Sequence, residues 1–461
     1  MKKLMKWSGY LLAALAVMAV MLVVALKVTP RLSKIQGMAA PVQQEIVLTG
    51  VRIWQSGKPV SAPMQVWVRD GRFVQIAAMD VEFATTAPRI AADGQFLVPG
   101  LIDAHSHILQ SAELAAYLRH GVTTVRNLNG RPFHLVLREQ IQLGSLAGSR
   151  MLTTGPTLNT AAPLLAMHQI IDSPESVKDA VQAIKAAGYD GLKIYDGVSA
   201  EIYAALLNEA KAQQLPVAGH IPAAVGILQA VNTLDTIEHV DELWQNGWPK
   251  LSAQQKAQVL QAATGKPLVA SLAIMQRLAA ICGKGEPAVS GYESPLLNPL
   301  AGYFGRQSLT NFAVGAEGCT EFSARVAALS ELVLQWHHAG GVVVLGSDQG
   351  PHLLPAGVAT LLEAEALQQA GLNTDEVMQA ATTAAAKAIG QGSDLGQIAP
   401  GYVADALLLG QNPLQTPPWQ QMPQALLSQG RYYDKTALAS LEQAAQQHDS
   451  VWLTLAHLLE L

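Results

Sequence analysis

A chain of 461 residues has room for one large domain and a smaller companion. Half of the residues are hydrophobic but only 5% are aromatic, so Ala, Leu and Val must fill the core, a composition suited to helices packed on a parallel sheet. A net charge of −5 without a basic stripe argues against nucleic acid as a partner. The only cysteines, Cys282 and Cys319, exclude a disulfide framework and a cysteine-ligated zinc cluster. They leave open a single bridge if the compartment is oxidising.

Residues 1–6 form a basic start with Lys2, Lys3 and Lys6, and residues 7–26 an uncharged, mostly apolar run. That run has the length of a membrane-spanning helix and predicts an N-terminal transmembrane or signal helix. It reads first as an uncleaved signal anchor, with a peptide cleaved near Ala39-Ala40 as the alternative. Lys27, Arg31 and Lys34 beyond it leave orientation unsettled by charge alone. The short basic start has the look of an export signal. This gives an inner-membrane-anchored chain with a periplasmic, extracytoplasmic body, or a secreted body after cleavage.

Residues 27–44 read as a linker. Over 45–95, short alternating runs such as Met64-Gln65-Val66-Trp67-Val68, punctuated by Gly50, Gly57 and Asp70-Gly71, predict hairpins of a small β unit. A similar β segment returns over 396–430, and the two are expected to close one small β-sandwich domain around the central region. Within 96–395 short apolar strands alternate with Ala-rich helices. Strands are expected at 96–102, 122–125, 151–153, 191–195, 216–219, 236–238, 267–270 and 342–345. Helices are expected at 132–143, 174–187, 199–213, 252–264, 320–339 and 356–370. This is the pattern of a (β/α)8 TIM-like barrel. A doubly wound open sheet is the alternative, but no Gly-rich phosphate loop marks its first turn. The long Gly- and Pro-rich connection over 274–319 holds both cysteines with Tyr292, Tyr303 and Phe304, and is expected to shape the pocket as a lid. Residues 431–461 read as a helical tail. Its apolar periodicity over 451–459 fits packing on the body, pairing with a second copy in a homo-oligomer, or contact with the membrane.

Barrel chemistry sits at the C-terminal ends of the strands, and candidate ligands recur there. His105 and His107 alternate along the first strand and so share a face. Lys193 lies on the fourth strand, His220 ends the fifth, His239 the sixth, and Asp348 the eighth. Any one of them alone would read as a satisfied core histidine or a capping carboxylate. Their joint placement points to a metal site. Tyr195, two residues beyond Lys193, shares its strand face, where its hydroxyl could polarise a carbonyl or bind a carboxylate; a core or rim tyrosine is the other reading. His337 and His338 close a helix, where the dipole favours a cation, and His352 follows Asp348 on the eighth loop.

These motifs resemble those of the amidohydrolase superfamily, in the binuclear branch that includes imidazolonepropionase-like and prolidase-like enzymes. The matching stretches are Val98-Pro99-Gly100-Leu101-Ile102-Asp103-Ala104-His105-Ser106-His107, Gly121-Val122-Thr123-Thr124-Val125-Arg126, Gly191-Leu192-Lys193-Ile194-Tyr195, Ile237-Glu238-His239, Gly346-Ser347-Asp348 and Gly396-Gln397-Ile398-Ala399-Pro400-Gly401-Tyr402-Val403-Ala404-Asp405. The resemblance runs over residues 45–430. It implies two divalent ions, zinc first, with His105, His107 and Asp348 on one, His220 and His239 on the other, and a carboxylated Lys193 bridging them. It also implies hydrolysis of an amide or other C–N bond by a hydroxide shared between the metals, with Asp348 as general base and then acid. Substrates would be dipeptides, N-acyl compounds or cyclic amides. His168 sits where related enzymes place a substrate-binding histidine, although the loop lacks their Gly-Gly-His. Arg126-Asn127 replaces the usual Arg-Asp, which favours a structural role for Arg126. The competing readings are a noncatalytic, metal-stabilised binding protein, and an isomerase, decarboxylase or phosphotriesterase-like reaction on the same scaffold.

Overall fold

The computed structural model describes residues 37–161, 168–314 and 318–459. The expected N-terminal helix at 7–26 lies outside them. Among the described residues no helix is long and apolar enough to cross a membrane.

Among the described residues, eight parallel strands alternate with helices through the centre of the chain: Leu101–Ser106, Val122–Asn127, Arg150–Thr153, Leu192–Ile194, Val217–Gly219, Thr236–Glu238, Pro267–Val269 and Val342–Val344. Backbone bonds join the two hydrogen-bonded groups. The Asp190 N–H donates to the Thr153 carbonyl at 2.8 Å, and the Ala104 N–H to Leu345 at 3.0 Å. This is the arrangement of a TIM-like barrel. The helices around it follow local rules. Pro174–Ala187 starts at the Ser173 cap with Pro174 in its first turn and stops at Gly188, which is left-handed. Its buried stripe, Val177, Val181 and Ile184, faces the common core.

The first barrel strand differs from expectation. The apolar run 96–102 divides at Gly100: Phe96–Pro99 belongs to the flanking sheet, and Leu101–Ser106 enters the barrel. A Cβ on Gly100 would lie 2.1 Å from the Thr123 hydroxyl, so only glycine lets the chain pass between the two units here. The flanking segments also do not make two separate packed sheets. Strand Phe96–Pro99 pairs parallel with Ile46–Ile53 and antiparallel with Ala406–Leu409, which joins early and late segments edge to edge in one eight-stranded sheet. Ile46, Leu48, Val66, Val68, Leu408 and Leu427 form its buried cluster. The C-terminal helices begin only at Lys435, because Arg431–Tyr433 adds a further strand to this sheet.

The long connection after the seventh strand carries the helices Leu272–Ile281, Glu286–Ser290 and Pro299–Val314, and Cys282 is bonded to Cys319 at its two ends.

Candidate metal centre

Five barrel strand ends contribute the proposed ligands, and a buried carboxylate sets the orientation of the first of them. His105 is 1% exposed and its Nδ1 lies 2.7 Å from Glu238 Oε2. An ionised partner on Nδ1 selects the tautomer with the proton there, leaving Nε2 as a lone-pair donor. Glu238 in turn accepts from the Arg126 guanidinium at 2.7 Å and from the Thr236 hydroxyl at 2.6 Å. Burial alone would raise the Glu238 carboxyl, but Arg126 and His105 hold it well below the usual range. Arg126 also donates to the Ala104 carbonyl at 2.7 Å, which is the structural role expected of it.

His105 Nε2 faces His107 Nε2 at 3.3 Å and Asp348 Oδ1 at 3.4 Å, and His107 Nε2 lies 3.0 Å from the same oxygen. Ligand atoms of His105, His239 and Asp348 lie within 4.8 Å of one another. The His239 ring centroid is 4.6 Å from that of His105 and 5.0 Å from that of His220. His220 has Glu242 Oε1 3.1 Å from Nδ1, out of line for a hydrogen bond. Lys193 is 2% exposed and its Nζ has no hydrogen-bond partner. Burial lowers the ammonium to about 8. It also lowers His105 to about 3 and His239 to about 4. Burial opposes ionisation of Asp348, but the surrounding histidines override it and hold the carboxyl well below its ordinary range.

The backbone here is specialised too. His239 (φ 71°) and Asp348 (φ 52°) both adopt the left-handed region, which costs a non-glycine residue roughly 1–3 kcal/mol. Asp348 is held there by its N–H bond to the His105 carbonyl at 2.9 Å. Behind it Asp103, fully buried, accepts from the Ser347 N–H and hydroxyl at 2.9 and 2.6 Å and from the Thr360 hydroxyl at 2.6 Å. The ends of the first and eighth strands are thereby locked together. At Gly346 an added Cβ would lie 2.9 Å from the His105 Cβ.

All six proposed ligands line a single cleft of about 630 Å³, together with Tyr195, His168 and His352. The Tyr195 ring packs at a tilt against His220, 4.1 Å between centroids, and against His168, 4.7 Å away. The Asn159 side-chain amide lies 3.2 Å from the Nδ1 of His168. His337 pairs with Glu376 at 3.2 Å and does not line the cleft, nor does His338. Sequence reasoning missed Glu238, Glu242 and Asp103. Glu238 was detectable only as a carboxylate inside an otherwise apolar strand, and Asp103 as the acid two residues before His105.

The donor set fits divalent cations. Neutral imidazoles, an ionised carboxylate and a desolvated, partnerless amine are the protonation states that such ions require.

Residues 306–439 match the amidohydrolase family. A curated adenine deaminase of Moorella thermoacetica is 23% identical over 359 residues, 75% of this chain and 51% of its own length; the chain thus spans about half of that relative. Among solved structures, a bottromycin amidohydrolase superposes with a TM-score of 0.73 at 23% identity, covering 87% of this chain and 90% of its own. A Xaa-Pro dipeptidase, described with methionine in its active site, superposes with a TM-score of 0.65 at 17% identity, covering 85% of this chain and 100% of its own. The chain is thus similar to amidohydrolases in sequence over residues 306–439, and it shares the barrel fold of the solved structures.

Proposed function

We propose that the chain is a divalent-metal-dependent hydrolase of an amide or related C–N bond. The observation that carries this reading is the convergence of His105, His107 and Asp348, with a partnerless buried Lys193 in the same cleft. His105, His107 and Asp348 would hold one cation and His220 with His239 a second. Lys193, once its neutral amine adds carbon dioxide and releases a proton, would offer a carbamate between them. When bound, the metals supply Lewis acidity and make water a nucleophile near neutral pH. Asp348 is positioned to take a proton and return it to the departing nitrogen, because its carboxylate stays ionised among the histidines. Tyr195 keeps its hydroxyl proton, since burial pushes it up to about 12, and so serves as a neutral donor to a carbonyl oxygen.

The apolar run over 7–26 is proposed as a signal anchor that leaves the barrel outside the cytoplasm. The Cys282–Cys319 bond supports an oxidising compartment.

Metal analysis of the purified body tests the centre: about two divalent ions per chain are expected, and one or none after full loading rejects the binuclear reading. Asp348→Asn should lower kcat by roughly 10²–10⁴. Lys193→Ala should lose metal, with partial recovery on adding short carboxylic acids; a Lys193→Ala protein that keeps both ions and full turnover sinks the bridging role.

A further inference from the structure

The cleft is lined by apolar side chains as well as by the proposed ligands, and Asp241 on its wall is already paired. Leu109, Leu128, Ile274, Met275 and Leu278 supply the apolar lining. Three of these come from the helix Leu272–Ile281, with Ile274 and Leu278 one turn apart on the same face. That helix is fixed at its start by the buried carboxylate of Glu363, which accepts from the Leu272 and Ala273 N–H groups at 3.0 and 2.7 Å.

The acids of the wall have partners. Asp241 is paired with Arg325, whose Nε lies 2.8 Å away, and also accepts from Gln245 at 2.6 Å. Glu242 accepts from the Ile221 N–H at 3.1 Å. Apart from Lys193 in the donor cluster, no lysine or arginine among the described residues lines the cleft. Nearby Arg277 donates to the His352 carbonyl at 3.3 Å and lies over the Tyr292 ring. What remains for a substrate's flanks is neutral hydrogen-bonding groups, among them Tyr195, His168, Asn129 and Thr157, and hydrocarbon.

We infer that this cleft selects an uncharged, apolar acyl–nitrogen compound (a capped amide, carbamate or urea) over a zwitterionic dipeptide. The inference rests on the hydrolase reading above and names its substrate class. A dipeptide would bring an ammonium and a carboxylate into a partly buried space where, outside the donor cluster, no lysine or arginine meets the carboxylate and Asp241 is already paired, whereas an uncharged compound of the same shape keeps the apolar contacts without that desolvation cost.

Leucyl-leucine and N-acetyl-leucyl-leucinamide share both side chains and the same peptide bond and differ in charge. Calorimetric titration of each into zinc-loaded protein, with turnover followed in parallel, tests the inference. The capped compound is expected to bind at least about tenfold more tightly. Leu278→Arg, which adds a cation to the apolar wall, should narrow that ratio toward one. Equal or tighter binding of leucyl-leucine overturns the inference, as does binding of neither. Capped compound bound tightly but left intact upholds the selectivity and counts against the hydrolase reading, so the two failures are separable.

Discussion

Glu238 carries more of the centre than any ligand. Its two carboxylate oxygens serve different strands, one fixing the His105 ring and the other receiving Arg126 and Thr236. Removing it would leave a buried guanidinium without its counterion. Glu238→Ala should therefore destabilise the fold by about 3–5 kcal/mol, read by urea unfolding. Glu238→Gln keeps the shape but loses the charge that fixes the His105 tautomer, and should weaken metal binding by roughly 10–100-fold. Unchanged metal affinity in that variant would remove its orienting role. At this scale the clustering of the proposed ligands was legible and the groups behind them were not. His105, His107 and Asp348 stand in short, spaced motifs. Glu238 meets His105 across 133 residues, and nothing local announces that contact. The left-handed backbone at His239 and Asp348 was equally silent, because Asp and His, although enriched among the non-glycine residues found there, adopt it at only a small fraction of their positions.

Among the elements, the helices obeyed their local signals and the first strand did not. Ser173, Ser199 and Ser252 mark helix starts by side-chain bonds from backbone N–H groups three residues on, at positions that sequence shows directly. The run 96–102 is apolar throughout, so hydrophobicity cannot show that its halves serve different sheets; the steric demand at Gly100 decides it. The turn after His107 depends on Glu113, whose buried carboxylate accepts from the Leu109 N–H at 2.6 Å. Burial raises this carboxyl to about 7 from an ordinary 4.5. A folded-state value above the unfolded one gives stability that is complete below about pH 4.5 and is lost as pH rises through 7. Glu113→Gln should flatten that fall, gaining up to about 3 kcal/mol on the native protein between pH 5 and pH 8. Parallel pH profiles of unfolding free energy for the two proteins would remove Glu113 as the source.

At the level of the whole molecule, the proposed ligands come from five of the strands, so bound metal would cross-link distant parts of the barrel. Chelation should lower the melting temperature, and zinc should restore it in proportion to occupancy. At a concentration of 100 Kd the linkage is worth about 2.7 kcal/mol. A melting curve indifferent to chelator in fully loaded protein would mean that the site is not part of the folding equilibrium. The tail closes the same face from another direction: His448 lies 2.7 Å from the Gln110 amide and 2.7 Å from the Pro295 carbonyl, bridging the turn after His107 to the long connection.

The strand Phe96–Pro99 lies between Ile46–Ile53, synthesised before it, and Ala406–Leu409, synthesised about 300 residues later. At 5–20 residues per second that interval is roughly 15–60 s. During it, the segment leading directly into His105 has one neighbour and an open edge. The pairing that completes the sheet is among the longest-range in the chain, and such contacts form slowly. The end of the first barrel strand that carries His105 is therefore among the last parts of the nascent protein to gain its full support. A newly made chain stays pliable there until the segment around Ala406 has arrived.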